Sequence, residues 1–122
     1  MLPKEFVKEI QKLFAENFEN YTITKGEDYF IITKDDSVFE VVRTEYSYKI
    51  YLETSDLHYC YKVSICGLEN LIGIFQDCIF KDHFEDTITC FMNVLMYKQN
   101  RLRRQFRELG KKYNMRGDKN VK

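Results

Sequence analysis

The 122-residue chain has no tryptophan, one proline and five glycines. So little proline and glycine excludes a collagen-like or linker-type polymer. No apolar run approaches the ~18 residues a membrane-spanning helix needs, so no membrane partner is expected. The opening Met1-Leu2-Pro3-Lys4-Glu5 leads into a charged amphipathic stretch with no secretory signal, and the expected address is cytoplasmic. The cysteines, Cys60, Cys66, Cys78 and Cys90, contain no C-x-x-C pair, and the histidines, His58 and His83, lie near them only in loose spacings. Zinc needs clustered ligands, so no metal site is expected and the thiols read as reduced and mostly buried.

Catalytic motifs are equally scarce. No G-x-S-x-G, G-x-G-x-x-G or Walker-type loop occurs, so neither a nucleophile elbow nor a phosphate-cradling loop is available. His58 and Cys60 share a strand face, but i,i+2 neighbours point in parallel and do not form a nucleophile–base pair. No catalytic residue and no cofactor is assigned. Arg116-Gly117-Asp118 spells an integrin-type tripeptide, read as chance.

Aromatics and charge are what the chain has. Ten Phe and nine Tyr supply ample apolar surface, which excludes a disordered chain and suits one domain with one modest core. The formal net charge is zero, but it is unevenly placed. Residues 1–97 carry 9 basic and 17 acidic side chains, a net of −8. Residues 98–122 carry 10 basic and 2 acidic, a net of +8. Such a division marks a segment that meets phosphate, an acidic protein surface or its own acidic body.

Periodicity divides the chain into helices and strands. Phe6, Ile10, Leu13 and Phe14 recur on one helical face after Pro3, predicting a helix over 3–17. From 21 to 65 the period is two, with turns at 25–28, 34–37 and 54–56, predicting an antiparallel meander of four or five strands. Leu57, Tyr59, Tyr61, Val63 and Ile65 share one face of the last strand; His58, Cys60, Lys62 and Ser64 share the other. Leu68, Leu71, Ile72, Phe75 and Ile79 give a second helix. Asp82 and Glu85 have capping-box spacing, opening a last helix at about 83–109 that Gly110 would stop in a left-handed turn. The expected architecture is α+β: an antiparallel four- or five-stranded meander sheet, an N-terminal helix and two C-terminal helices, the last one long. The domain is expected over 1–113, with a flexible basic tail over 114–122.

The last helix carries the most regular pattern. Ile88, Leu95, Leu102 and Leu109 are seven apart, and Met92, Gln99, Phe106 and Tyr113 form a second series offset by four. Alternating spacings of three and four over about four heptads read as a coiled-coil-like seam. A helix of ~28 residues spans ~42 Å, more than a small sheet covers. The far half therefore needs another surface, and a second copy is the simplest. Expected interface residues are Ile88, Met92, Leu95, Gln99, Leu102, Phe106 and Leu109, in a homodimer or higher oligomer.

At ~100° per residue, Asn100, Arg104, Arg107 and Lys111 fall on a stripe opposite Leu95, Leu102 and Leu109, with Arg101 and Arg103 flanking it. Arginine's planar fork makes bidentate bonds to phosphate. Arg101, Arg103, Arg104, Arg107 and Lys111 are accordingly the expected ligand-binding residues, with Arg43, Tyr48 and Tyr59 of the tyrosine-rich sheet as further candidates. The expected function is a non-enzymatic oligomeric binding protein for a phosphate-bearing ligand, either a nucleotide-type small molecule or nucleic acid. No helix-turn-helix, zinc-finger or RNA-recognition signature names a nucleic-acid module. Two alternatives stand beside it: a protein-directed inhibitor of a host defence protein whose acidic body mimics nucleic acid, and a small hydrolase. A small α+β domain rich in Tyr, Phe, Lys, Asn and Glu has the general profile of phage and mobile-element accessory proteins, a compositional impression that carries no site information.

Overall fold

Helix α1 (Lys4–Asn17) forms because Phe6, Ile10 and Phe14 repeat every four residues and are buried on one side. Pro3 precedes the helix as its N-cap, with extended backbone at ψ 126°. A computed structural model gives the backbone of residues 2–121 and the side chains of residues 2–110. Lys111, Tyr113 and the tail expected over 114–122 lie outside the described side chains.

Five strands follow: β1 (Thr22–Lys25), β2 (Tyr29–Lys34), β3 (Ser37–Arg43), β4 (Ser47–Glu53) and β5 (His58–Ser64). Each pairs antiparallel with the next, in the order β1-β2-β3-β4-β5. The turns are built from local side-chain bonds. The Leu57 N–H donates to Thr54 Oγ1 at 3.2 Å, and Thr44 Oγ1 donates to the Ser47 carbonyl at 2.9 Å. Asp35 takes a left-handed φ of 52° in the β2–β3 turn, a conformation Asp tolerates better than most residues. Gly26 in the β1–β2 turn leaves room for the Tyr29 ring, which a β-carbon there would push aside.

The single-turn 3-10 helix at Ile65–Gly67 leads to α2 (Asn70–Cys78) and then α3 (Phe84–Val121). Among the described residues no glycine has positive φ, so Gly110 does not supply the left-handed stop expected of it. The expected capping box is also absent. Asp82 is itself left-handed at φ 66°, its N–H donates to the Asn17 carbonyl at 2.9 Å, and Glu85 instead accepts from the Ser55 hydroxyl at 3.0 Å.

All three α-helices pack on one face of the sheet, as the α+β reading expected. Phe30, Ile32, Phe39, Val41, Ile50 and Leu52 point into that face and are buried. Phe14 is the hub of the core, with ring centroids 5.2 Å from Phe75, 5.4 Å from Phe39 and 5.5 Å from Phe84. Phe75 meets Phe91 edge to face at 5.0 Å, tying α2 to α3. The sheet's other face is uncovered; one row across it runs Ile31, Glu40, Tyr51, Cys60.

Candidate functional site

Helix α3 starts over the core and ends away from it. Its first turns bury Phe84, Ile88, Phe91, Met92 and Leu95, and it packs across β3, β4 and β5. Ile88, Met92 and Leu95 therefore belong to the protein's own core and are not free for a partner, a correction to the expected interface. The heptad pattern holds for both halves of the stripe; what changes along it is the surface beneath. Past Gln99 the sheet runs out. On the same stripe Leu102 is 50% exposed, Phe106 72% and Leu109 50%, against 0% for Ile88 and Leu95.

The crossing point is marked by a side-chain bond. The Tyr59 hydroxyl on edge strand β5 donates to Gln99 Oε1. Gln99 is thus committed to its own sheet, a further correction to the expected interface. Burial pushes the Tyr59 phenol above its ordinary value of 10.0, Tyr61 beside it adds to the rise, and Arg103 works against it. The rings of Tyr59 and Tyr61 lie 6.4 Å apart. Arg103, one turn beyond Gln99, shares its side of the helix and is exposed.

Arg101, Arg104 and Arg107 are exposed and, among the described residues, have neither an ion pair nor a hydrogen bond. They follow one another along a bare stretch of helix whose other side carries Leu102, Phe106 and Leu109. Glu108 is the one acidic side chain between Asn100 and Gly110.

The sheet candidates do not join them. Arg43 Nη1 donates to the Tyr48 hydroxyl at 2.9 Å, and its guanidinium stands 5.4 Å from the centre of the Tyr48 ring. Tyr48 is 1% exposed, so its ring is a core side chain, unable to stack on a ligand. Tyr48 pairs with Val63, whereas Tyr59 pairs with Leu52. Four residues along β4 place the two tyrosines ~13 Å apart.

Two features escaped the sequence. Phe80, 51% exposed, and Tyr97, 69% exposed, flank an open groove of about 640 Å³ with Cys90, Asn93 and Val94 along its floor. Phe80 falls outside both helical stripes, and that misfit was the only signal. The cysteines also differ from expectation: Cys60 and Cys66 are exposed, Cys78 is buried and Cys90 is half-buried. Cys60 is exposed because its face of β5 has no covering layer. Burial and a hydrogen bond to Cys90 push the Cys78 thiol up to about 12.

Among the described residues no cluster of three or more His, Cys, Asp or Glu is placed to hold a metal ion. No described helix is long and apolar enough to cross a membrane. No protein family, curated protein or solved structure matches the chain.

Proposed function

We propose that this chain is a homo-oligomeric binding protein that pairs through the free half of α3 and holds a phosphate-bearing ligand on the arginines of that helix. One observation carries the reading: apolar and basic side chains are exposed on opposite sides of a helix that has left its own core. Leu102, Phe106 and Leu109 are half or more exposed on the stripe that is buried further back. Large exposed apolar side chains gathered on one face mark an interaction surface. Arg101, Arg104 and Arg107 have no partner within the described part of the chain, leaving their forks free for bidentate bonds to phosphate oxygens. Pairing through the seam brings two such stripes into one assembly.

The ligand would be held mainly by charge, so affinity falls steeply with salt. The double variant Arg104→Glu with Arg107→Glu tests this directly. Fluorescence anisotropy with labelled single- and double-stranded oligonucleotides, and calorimetry with nucleotides, should show binding in the parent and its loss in the folded variant. Equal affinity of parent and variant for every phosphate-bearing probe would reject the proposal.

A second reading has its own support. Asp35, Asp36, Asp82, Glu85 and Asp86 line one cleft at the opposite end of α3, as an acidic surface directed at a basic protein partner requires. A stoichiometric protein partner captured without nucleotide, and lost on neutralising Asp35 and Asp36, would favour this inhibitor-type reading.

A further inference from the structure

We infer that two copies join edge to edge along β5, antiparallel about a two-fold axis at Tyr61, so that each α3 continues over the inner face of its partner's sheet. This rests on the pairing half of the proposed function and names the surface that the free half of α3 covers. The two five-stranded sheets become one continuous sheet.

The backbone of β5 is set for it. β5 pairs with β4 on one side and has no strand on the other. The Thr54 N–H donates to the Leu57 carbonyl at 2.8 Å, so Thr54 and Leu57 are a bonded pair closing the hairpin. Alternation along an antiparallel ladder then directs the N–H and C=O groups of His58, Cys60, Lys62 and Ser64 away from β4. Such an edge is a template for another strand unless charge, proline or a bulge blunts it. β5 contains no proline, and its only Lys, Arg, Asp or Glu is Lys62.

The side chains select the axis. Centred on Tyr61, the register opposes Tyr61 to its copy, Tyr59 to Val63 and Cys60 to Lys62. Aromatic and β-branched side chains meet on the inner face, and each Lys62 faces a neutral neighbour. An axis at Lys62 would set like charges directly opposite, which is destabilising.

Helix α3 supplies the second half of the argument. It packs across β3, β4 and β5 and makes its last described hydrogen bond at Tyr59, so it leaves the sheet over the free edge. The stripe that is buried as far as Leu95 then has nothing of its own chain's described residues beneath it. A second sheet, continuing the first, puts the partner's half-buried Tyr61 and Val63 under that stripe. Charge agrees. Residues 98–110 carry five basic and one acidic side chain, against the net −8 of residues 1–97. Each basic arm thus crosses onto an acidic body while Arg104 and Arg107 stay outward.

A symmetric cross-link tests the axis. Tyr61→Cys, with Cys60→Ser and Cys66→Ser, places two thiols in a non-hydrogen-bonded pair, whose Cα separation of ~4.5 Å suits a disulfide. Mild oxidation should convert the dimer seen by native mass spectrometry into a covalent dimer with unchanged circular dichroism. Lys62→Pro removes an N–H that points away from β4, and should raise the dimer dissociation constant about tenfold or more. A dimer that neither cross-links nor weakens with Lys62→Pro, yet dissociates with Leu102→Glu and Phe106→Glu, would overturn the β5 axis and leave helix pairing standing. A parent protein monomeric at all concentrations would overturn both.

Discussion

Tyr59 and Gln99, forty residues apart in the chain, meet where α3 crosses the edge of its own sheet, the tyrosine hydroxyl donating to the glutamine side-chain oxygen. This bond is the last polar tie before the bare stretch of helix. Tyr59→Phe should cost about 1 kcal/mol and speed amide hydrogen exchange in α3 after Gln99 while leaving Phe84–Leu95 unchanged. The raised Tyr59 phenol adds a pH dependence. A folded-state value above the unfolded one means the folded protein binds more protons in that window, so stability falls as pH rises above about 10. Urea denaturation between pH 9 and 11 measures it, and Tyr59→Phe should flatten the slope.

Glu40 sits mid-row on the uncovered sheet face between Ile31 and Tyr51, and burial raises its carboxyl above 4.5. The sign is the same: the folded state favours the protonated form, so this residue lowers stability as pH rises through the carboxylate range. Glu40→Gln should raise the Tm at pH 7, with the gain vanishing near pH 4. A Tm unchanged at pH 7 would contradict the desolvation argument.

Thiol chemistry separates the cysteines. Burial and the bond to Cys90 hold the Cys78 thiol protonated at pH 8, and the thiolate is the reactive form. Thiol-specific labelling should modify Cys60 and Cys66 first in the folded protein and reach Cys78 only on unfolding, as peptide mass mapping will show.

The core hub gives the largest expected stability effect. Phe14 of α1 touches the rings of Phe18 just past its own helix, Phe39 of β3, Phe75 of α2 and Phe84 of α3. Phe14→Ala should cost ~3–5 kcal/mol, transfer and cavity terms together, read as a lower urea midpoint. A loss below 1 kcal/mol would mean that the surrounding rings collapse into the space.

The five strands were legible because their alternation and turn residues are local: Leu57, Tyr59, Tyr61, Val63 and Ile65 share one face in the sequence, and the alternating burial of His58–Ser64 follows that, while Leu57 and Ile65 beyond its ends are about half exposed. The stripe on α3 was legible for the same reason. What periodicity does not carry is the extent of the surface beneath. Ile88 and Leu102 are equivalent in the heptad yet differ from 0% to 50% exposure, because the sheet ends between them. The Arg43–Tyr48 bond was hidden for another reason: adjacent pairing across a turn is visible in sequence, but the turn of a guanidinium toward a buried hydroxyl is not. The expected capping box failed because the chain needed a left-handed residue at Asp82 to join α2 to α3.

The uneven footing of α3 has a consequence for how the protein reports its own state. An isolated helix of about twenty residues is only partly formed in water, because nucleation is costly and most helical stability in proteins comes from packing. The first half of α3 is held by the core and melts with it. Among the described residues the stretch beyond Gln99 draws on no such support, so its helicity is conditional on company. Ellipticity at 222 nm should therefore rise with protein concentration, making the far half of α3 a built-in optical gauge of assembly.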